Sequence, residues 1–339
     1  MGLVWFDGFD HLTAAQMTRK YETFGGSVVS ASNTRFNSGQ CARFTSNVQG
    51  LTKVLTSNQA WRVGVAYNLQ TYTNGHQMLY LSDGGTQQVT LNVENRNIVV
   101  RHAGTSTVIC QSTRAFNPKV WYHIEWYIVV ADSISTNGCV VRVNGEVWAS
   151  ANSGDTKNSS NASADRVSSL GATSTGYYLD DLYVYHDSVT TSPTFSGDLR
   201  VVQLTPNANG NYSQFTGSDG NSTDNYLLVD DTTTVDDDTT YVESDVVSNK
   251  DSYGLSNLAS TPASIKGVAI NVVAKKGDAG ARTGRTFFRI SGTDYESSDF
   301  SPATSYANHI HIAENSPATA AAWTESEVNG MEAGVKVQA

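Results

Sequence analysis

The feature that most constrains this chain is the near absence of long helical periodicity. Short runs of alternating or continuous apolar residues are separated, roughly every ten residues, by clusters of glycine, asparagine, serine and aspartate, which is the pattern of short strands joined by turns. Regular spacing of this kind favours a sandwich or jelly roll, so the sequence predicts an all-β fold. The strands predicted in the first half lie at 3–6, 41–45, 61–69, 77–82, 88–94, 97–102, 107–111, 120–130, 139–148 and 177–186.

The stretch WYHIEWYIVV at 121–130 is rich in aromatic residues, and alternation along a strand divides its side chains between two faces. The predicted faces are Tyr122, Ile124, Trp126 and Ile128 on one side, and His123, Glu125, Tyr127 and Val129 on the other. Further along, Asn144-Gly145 predicts a type I′ hairpin turn, because both central positions need a positive φ. We therefore expect 140–143 to pair with 146–149. We also expect Trp126 and Trp148 to help close the core, since aromatic side chains bury large areas.

Changes in composition divide the chain into domains. Polar residues at 153–169 predict a long loop, and the later stretch 187–198 has little apolar content and a single proline. The boundary falls there, which gives a jelly-roll domain over 1–190, a linker over 191–198 and a smaller β-sandwich-like domain over 199–339.

One short helix is predicted near the C-terminal end of the second domain. Thr324 and Glu327 have the spacing of a capping box, in which each side chain bonds the backbone N–H of the other residue. Val328 and Met331 then share one face. The helix is expected to end near one of the two following glycines and to precede a final strand, GVKVQ.

Four motifs in the first half carry a resemblance to a known family: LVWFDGFD, WYHIEWYI, VRVNGEVW and YYLDDLYVYHD. Together they resemble the concanavalin A-like, laminin-G-type jelly rolls found in bacteriophage structural proteins, over roughly residues 1–190. The second half is similar to C-terminal regions of phage virion proteins through DDTTYVES, KDSYGLSNL, IKGVAINVVAKK and the late pattern W-T-x-x-E-V-N-G-M-E-x-G-V. The resemblance implies a place in a virion, but the fold hosts lectins, glycanases and scaffolds alike.

The charge of the chain argues against two classes of partner. Lysine and arginine number 22 against 32 aspartates and glutamates, for a net charge of −10. Nucleic acid and anionic membrane surfaces attract positive charge, so we expect no binding of nucleic acid. No apolar run approaches the ~20 residues of a membrane span, so membrane insertion is not expected either. The start, MGLVWFDGFDHL, predicts no Sec-type signal peptide.

The three cysteines, Cys41, Cys110 and Cys139, are widely spaced and form no CxxC pair, which argues against a zinc site. We interpret them as small buried hydrophobic residues of a protein made in a reducing cytoplasm.

No catalytic motif is present in the sequence. It contains no G-x-S-x-G, no G-x-x-x-x-G-K-[ST] and no H-E-x-x-H. Jelly-roll glycanases place two glutamates on one strand face, whereas Glu125 is alone on its strand and the spacing of Glu94 and Glu146 gives it no partner. The glycine-rich stretch 277–285 joins two strands and predicts a hairpin loop, because no helix N-terminus follows to bind an anion. The sequence therefore predicts a protein that is not an enzyme.

Asp180 and Asp181 lie inside an aromatic strand, so one of them must face inward or lie at a sheet edge. The resemblance implies a Ca²⁺ ligand, since laminin-G-type domains often bind calcium through carboxylate and carbonyl oxygens. The favoured alternative is that this aspartate accepts hydrogen bonds from loop backbone N–H groups and fixes the closing strand. No other cofactor is expected.

Weaker candidates have ordinary alternatives that we favour. Acidic residues at 219–224 and 236–238 could bind calcium but are typical of solvated loops. His309 and His311 share a strand face and could form a metal site around a three-fold axis, whereas exposed histidines on an edge strand are the simpler interpretation. Tyrosines of the first half could stack on sugars, although tyrosines in a sandwich more often pack in the core or against a sheet face; they are Tyr67, Tyr72, Tyr80, Tyr127, Tyr177, Tyr178, Tyr183 and Tyr185.

These observations predict a non-enzymatic structural protein of a tailed-phage particle, exposed on the capsid or tail and assembled in many copies. Its expected partners are itself, with a trimer as the first expectation, and other virion proteins. Its expected location is the virion, after folding in the cytoplasm of the bacterial host. One alternative is a carbohydrate-binding adhesin that contacts a host-surface glycan. A second is a polysaccharide-degrading enzyme, against which the missing carboxylate pair argues.

Overall fold

The all-β prediction is confirmed by a computed structural model in which strands make up nearly all regular structure. The prediction of a continuous loop over 153–169 was wrong in part, because Ala164–Ser168 form a strand that pairs with a neighbouring strand on each side. The structure describes residues 2–30, 34–45, 50–170 and 176–339. The chain divides into two units. One contains residues up to Asp10 and Ala14–Val201, and the other contains His11–Thr13 and Val202–Ala339. Within the described ranges, no helix is long and apolar enough to cross a membrane.

The first unit is a jelly-roll sandwich of two antiparallel sheets. The eight-stranded sheet has the order β13-β12-β11-β6-β15-β4-β3, with β1 also paired to β15, and the seven-stranded sheet has the order β10-β9-β8-β7-β14-β5-β2. The strands are β1 (Gly2–Asp7), β2 (Thr23–Phe24), β3 (Ser27–Ser30), β4 (Gln40–Phe44), β5 (Leu51–Asn58), β6 (Ala60–Leu69), β7 (His76–Asp83), β8 (Thr86–Glu94), β9 (Asn97–His102), β10 (Val108–Ala115), β11 (Trp121–Val129), β12 (Cys139–Val143), β13 (Glu146–Ala151), β14 (Ala164–Ser168) and β15 (Tyr177–Asp187). A short 3-10 helix spans Met17–Arg19.

Aromatic side chains fill the space between the two sheets. Trp61 and Trp126 are fully buried, which confirms the prediction for Trp126. Tyr67 stacks on Tyr177 with ring centroids 5.1 Å apart, and its hydroxyl meets the ring of His76 on the opposite sheet. Because each of these rings removes a large apolar area from water, the sandwich is stabilised mainly by its interior.

The Asn144-Gly145 turn forms as predicted. Both residues have positive φ, 49° and 85°, and β12 pairs with β13 on either side of them. Trp148 differs from its prediction, because it is only partly buried. Its ring packs edge-on against Tyr122, with centroids 5.9 Å apart, and Arg114 lies over it. Strand β13 is the edge strand of its sheet, so one flank of Trp148 stays open to solvent.

The second unit is built on a five-stranded sheet with the order β16-β19-β24-β21-β22, together with the two-stranded sheets β17-β18 and β20-β23. Its elements are β16 (Pro206–Ser213), β17 (Thr216–Gly217), a 3-10 helix (Asn225–Leu228), β18 (Val242–Glu243), β19 (Lys250–Leu255), β20 (Val268–Ala274), β21 (Gly284–Ile290), β22 (Thr293–Glu296), β23 (Ala307–Ala313), α1 (Glu325–Gly330) and β24 (Glu332–Val337).

The predicted helix and its cap are confirmed. Thr324 Oγ1 accepts the backbone N–H of Glu327 at 3.2 Å, and Glu327 Oε2 accepts the backbone N–H of Thr324 at 2.9 Å. Val328 and Met331 are buried together in the core of this unit with Trp323. Since a helix of one and a half turns has little stability of its own, the cap and this apolar contact hold it in place.

Replacing the capping residue is expected to destabilise the second unit by about 1 kcal/mol. In Thr324→Ala the first helical turn loses the acceptor for one backbone N–H. Urea unfolding followed by Trp323 fluorescence measures the change. Thr261→Ala, at an exposed position, is the matched control and is expected to unfold like the original protein. Equal midpoints for the two variants would contradict a stabilising cap.

Candidate functional site

The candidate site is the face of the eight-stranded sheet that points away from the seven-stranded sheet, which we call the outer face. On β11 it carries His123, Glu125 and Tyr127, the face predicted to oppose Trp126. Cross-strand partners share a face, so the register joins these residues to β6 and β15. The three central rows are His123–Ala66–Asp180, Glu125–Gly64–Tyr183 and Tyr127–Arg62–Tyr185. All nine residues are buried, although seven of them have polar or ionisable side chains.

Residues 188–201, which we call the covering segment, close the outer face. At its start, Tyr127 Oη donates a hydrogen bond to the backbone carbonyl of Ser188 at 3.0 Å. At its end, the backbone N–H of Val201 donates to Asp181 Oδ1 at 2.8 Å. Both ends of the segment are thus fixed to strands of the sheet, and the polar face beneath it is removed from water.

Arg62 binds the middle of the covering segment. Its guanidinium donates to both carboxylate oxygens of Asp187, at 3.0 and 3.3 Å, and to Ser196 Oγ at 2.8 Å. The same group lies 3.9 Å from the centroid of the Tyr185 ring. Sequence analysis predicted a linker at 191–198, whereas the structure assigns these residues to the first unit. Their low apolar content reflects attachment through hydrogen bonds to the sheet.

Glu125 is the central acceptor under the covering segment. Its Oε1 atom accepts from Tyr183 Oη at 2.8 Å and from the backbone N–H groups of Ser196 and Gly197, at 2.8 and 3.1 Å. Its Oε2 atom is buried and has no hydrogen-bond partner in the part of the chain that the structure describes. Burial raises the pKa of Glu125, while the three donors oppose that rise.

Tyr183 reaches Glu125 because its ring lies directly over Gly64. A Cβ atom at position 64 would stand 1.9 Å from Cζ of the Tyr183 ring. The Tyr183 hydroxyl also bonds the carbonyl oxygen of Gly197 at 3.1 Å, so the ring links β15, β11 and the covering segment. Glycine at 64 is therefore a requirement of close approach, as is common where an aromatic ring crosses a neighbouring strand.

His123 adds a second titratable group to the same row of contacts. Its Nε2 atom is 3.3 Å from Tyr183 Oη, and its Nδ1 atom is buried without a partner among the described residues. Burial lowers the pKa of His123 to about 4, because an imidazolium ion would lose its hydration. The ring is therefore neutral at pH 7.

A carboxylate, a phenol and an imidazole in contact can in principle pass a proton. Catalysis also requires one of these groups to reach a substrate. Glu125, Tyr183 and His123 are each at most 1% exposed, and their hydrogen bonds go to one another and to the covering segment. The arrangement has the chemistry of a buried structural network, in which polar groups fix one arrangement of the chain.

Acidification is expected to weaken the first unit through His123. The folded pKa of about 4 lies below the unfolded value of 6.5, so the unfolded chain binds the proton first and stability falls between pH 6.5 and pH 4. His123→Gln removes this titration and is expected to lose less stability than the original protein over that window. Urea midpoints at pH 7 and pH 4.5 measure the difference. Burial also lowers the pKa of His76 to about 4, so His76→Gln is expected to reduce the acid-induced loss of stability in the same way as His123→Gln. Identical pH slopes in all three proteins would refute the assignment.

The structure places Asp180 and Asp181 at a break in strand register, where Asp181 has a φ of 51°. Both are buried. Asp181 accepts from Val201 through Oδ1 and from Arg35 Nη1 through Oδ2, at 2.8 and 3.2 Å. This is the backbone-fixing role that sequence analysis favoured. Asp180 Oδ1 accepts the N–H of Asp181 at 2.9 Å, and burial, helped by Asp181 and Asp10, raises the pKa of Asp180 to about 8.

Calcium binding by Asp180 and Asp181 stays a prediction. Within the described residues, no group of three or more His, Cys, Asp or Glu side chains has the arrangement of a metal site. Asp181 already neutralises part of its charge against Arg35. A calcium ion would have to draw further oxygen ligands from backbone carbonyls or water.

Asp180→Asn is expected to stabilise the first unit increasingly as the pH rises. The folded pKa of about 8 exceeds the unfolded value of 3.8, so ionisation costs the original protein stability between pH 4 and pH 8, and the amide removes that cost. Denaturant unfolding at pH 5 and pH 8 measures the trend, with the exposed Asp245→Asn as control. The same proteins test calcium binding. If the pair binds the ion, millimolar Ca²⁺ raises the unfolding midpoint of the original protein and leaves Asp180→Asn unchanged. If Asp180→Asn is no more stable than the original protein at pH 8, the pKa of Asp180 is not raised in the folded state.

The other acidic residues considered as calcium ligands lie in loops. Asp219 accepts from the backbone and side chain of Asn221, and Asp236 accepts from the backbone and hydroxyl of Thr240. Asp238 pairs with Lys275. Each carboxylate thus serves a neighbouring donor, as expected for turn-forming acidic residues.

The histidine pair is not exposed, so that favoured interpretation was wrong. His309 and His311 are partly buried on β23, and burial lowers the pKa of both. Their rings pack on Phe300 and Phe288, with centroids 4.3 and 4.9 Å apart. They line a cleft of about 340 Å³ in the second unit. The alternation of β23 put both rings on one side, but the sequence did not show that aromatic residues from β21 and the following loop cover them.

The glutamates stay apart, as the spacing predicted. Glu94 pairs with Arg101 on the seven-stranded sheet, and Glu146 is exposed in the β12–β13 hairpin. Most of the candidate tyrosines pack in the core or against a sheet face, as favoured; those that are buried are Tyr67, Tyr127, Tyr177, Tyr178, Tyr183 and Tyr185. Sequence reasoning missed Arg62, for which the only signal was a cation inside the apolar run WRVGVAYNL.

Two facing antiparallel sheets define the first unit as a jelly-roll β-sandwich, with its polar outer face closed by its own chain. Neither a family model nor a curated protein matches the chain. Solved structures similar to it include the cellulose-induced protein Cip1, at 9% identity over 55% of this chain and 92% of that one, with a TM-score of 0.36. Alginate lyase AlgAT5 of polysaccharide lyase family 7 is 8% identical over 52% of this chain and 89% of that one, with a TM-score of 0.37. The PL-14 alginate lyase from Aplysia kurodai is 12% identical over 55% of this chain and 100% of that one, with a TM-score of 0.38. At these identities and TM-scores the likeness carries no argument about what this chain does.

Proposed function

We propose that this protein is a non-enzymatic structural component of a tailed-phage particle, exposed on the capsid or the tail. The observation that supports it is the closed outer face, where Glu125, Arg62 and Tyr183 each form a hydrogen bond with residues 188–201. A sheet face used for catalysis or ligand recognition must be open to its substrate or ligand. The virion context comes from the sequence resemblance of both halves.

Assembly in many copies is part of this proposal. Several large apolar side chains of the second unit are about half exposed, among them Leu227, Val246 and Val247. Apolar surface of this kind is commonly covered by contacts between subunits. We propose docking on the particle through the second unit and a trimer as the oligomer, in keeping with the closed symmetry of most homo-oligomers. Sedimentation equilibrium of the purified chain tests the trimer, which predicts three times the chain mass of 36.5 kDa.

Immunogold labelling of purified particles tests the virion location. Even labelling over the head supports a decoration or head-fibre role, and labelling confined to the tail supports a tail component. Particles without label, in a preparation whose known coat protein is labelled, would overturn the proposal.

A glycan array probed with the purified chain separates the structural role from the adhesin. The structural proposal predicts no glycan-dependent binding. Saturable binding to one glycan class would replace it with host-surface recognition, and release of unsaturated or shortened sugars from a bound polysaccharide would replace it with an enzyme.

A further inference from the structure

Two of the three cysteines face each other across the sandwich. Cys110 lies on β10 of the seven-stranded sheet and Cys139 on β12 of the eight-stranded sheet, with their sulfur atoms 3.5 Å apart. Both residues are buried and both thiols are free. Cys41 is on β4, four strands away from β12 in the same sheet, which at the usual strand spacing is about 19 Å. The geometry therefore selects one pair from three cysteines.

We propose that Cys110 and Cys139 are an oxidation site that closes into a disulfide joining the two sheets when the protein meets an oxidising environment. A disulfide needs sulfur atoms about 2.05 Å apart, so the two side chains must approach by about 1.5 Å. Strand β10 is the edge strand of its sheet, and its register with β9 is interrupted on both sides of Cys110. An edge strand with broken pairing can shift by this amount more easily than a central strand.

The reaction is a thiol–disulfide exchange, and glutathione disulfide is a sufficient oxidant. The thiolate of Cys110, which is 7% exposed, attacks one sulfur of the oxidant and releases one glutathione thiolate. The thiolate of Cys139 then attacks the Cys110 sulfur of this mixed disulfide and releases the second glutathione. Two protein thiols become one disulfide, glutathione disulfide is reduced to two glutathione molecules, and the two thiol protons pass to the released thiolates.

The order of attack follows from the surroundings of the two thiols. The hydrogen bond with the Cys110 sulfur, together with burial, raises the pKa of Cys139 well above its usual value, so Cys139 is a poor first nucleophile. The buried position keeps both thiols reduced where reductant is abundant. The cross-link closes a loop of about 30 residues, and a loop of that size is long enough for a disulfide to restrict the unfolded chain substantially.

The test is to incubate the full-length reduced protein with glutathione disulfide at pH 8, block free thiols, unfold the chain and count them. We expect the count to fall from three to one, the intact mass to drop by about 2 Da, and a peptide pair joining Cys110 to Cys139 to appear. Cys41→Ser is the matched control and should form the same cross-link. The oxidised protein is expected to unfold about 5 °C higher than the reduced protein.

Cys139→Ser identifies the first nucleophile, because it should retain a single glutathione on Cys110. Three free thiols after oxidation in both dilute buffer and 1 M urea, where edges of the sheet open more often, would overturn the proposal. A cross-link that involves Cys41, or glutathione on Cys110 of the original protein without loss of the Cys139 thiol, would overturn it as well.

Discussion

Gly64→Ala is expected to destabilise the first unit by about 3 kcal/mol or more, at the upper end of what overpacking costs. The added methyl group would lie 1.9 Å from Cζ of Tyr183 and within 2.3 Å of two further ring carbons. These contacts are far inside van der Waals distance, so the ring must move. When it moves, the Tyr183 hydroxyl leaves Glu125 and the carbonyl of Gly197, and the buried Glu125 carboxylate loses a donor.

Denaturant unfolding followed by tryptophan fluorescence measures this loss. Gly85→Ala is the matched control, because a Cβ at position 85 meets no atom within 4 Å. Combining Gly64→Ala with Tyr183→Leu should recover part of the stability, since the smaller side chain makes room for the methyl group. If Gly64→Ala unfolds at the same midpoint as Gly85→Ala, the Tyr183 ring does not lie over β6 and the described network under residues 188–201 is incorrect.

The elements that could be predicted from sequence are those that local chemistry determines. The Asn144-Gly145 turn needs only two residues that tolerate positive φ, and the helix cap needs only Thr324 and Glu327 in the right spacing. Strands followed from alternation. Each of these signals lies within a few residues of the structure that it specifies, which is why the sequence contains them in readable form.

The outer face could not be predicted, because it depends on partners distant in sequence. Glu125 binds backbone N–H groups of Ser196 and Gly197, about 70 residues away, and those N–H groups leave no trace in side-chain composition. A polar stretch that hydrogen-bonds to a sheet looks like a linker when read alone. For the same reason the burial of His309 was missed: Phe300, the ring that stacks on it, approaches from another loop.

The closed face also explains how a strand can carry Glu125 and His123 at positions removed from solvent. A buried polar group is tolerated when its hydrogen bonds are made, and the covering segment supplies two of the three donors to Glu125 Oε1. A sheet face open to solvent could carry the same residues with no such segment. The difference between a binding cleft and a structural face in this fold therefore depends on a loop-like segment outside the strands, and the strand sequences alone do not distinguish the two.

Asp7→Ala is expected to destabilise the first unit by about 3–5 kcal/mol, the range for breaking a buried ion pair from one side. Asp7 Oδ2 is 2.9 Å from Lys20 Nζ, and both side chains are 0% exposed. Asp7 also accepts the backbone N–H of Phe9 at 2.9 Å and the hydroxyl of Tyr21 at 2.8 Å. Its removal leaves a buried cation and two buried donors without this acceptor, whereas truncation of an exposed pair costs little.

The matched control for this substitution is Asp132→Ala, which breaks an ion pair of similar length, 2.8 Å to Lys157, at a carboxylate that is 76% exposed. It is expected to change stability by less than about 1 kcal/mol. Burial lowers the pKa of Lys20, and Asp7 opposes that shift, so without Asp7 the folded chain releases the Lys20 proton more readily. A lysine with a lowered folded pKa regains stability as the pH rises towards its unfolded value of 10.5. The penalty of Asp7→Ala should therefore shrink between pH 7 and pH 10, while that of Asp132→Ala stays small throughout. Equal penalties for the two variants at pH 7 would show that the Asp7–Lys20 pair is not buried in the folded protein.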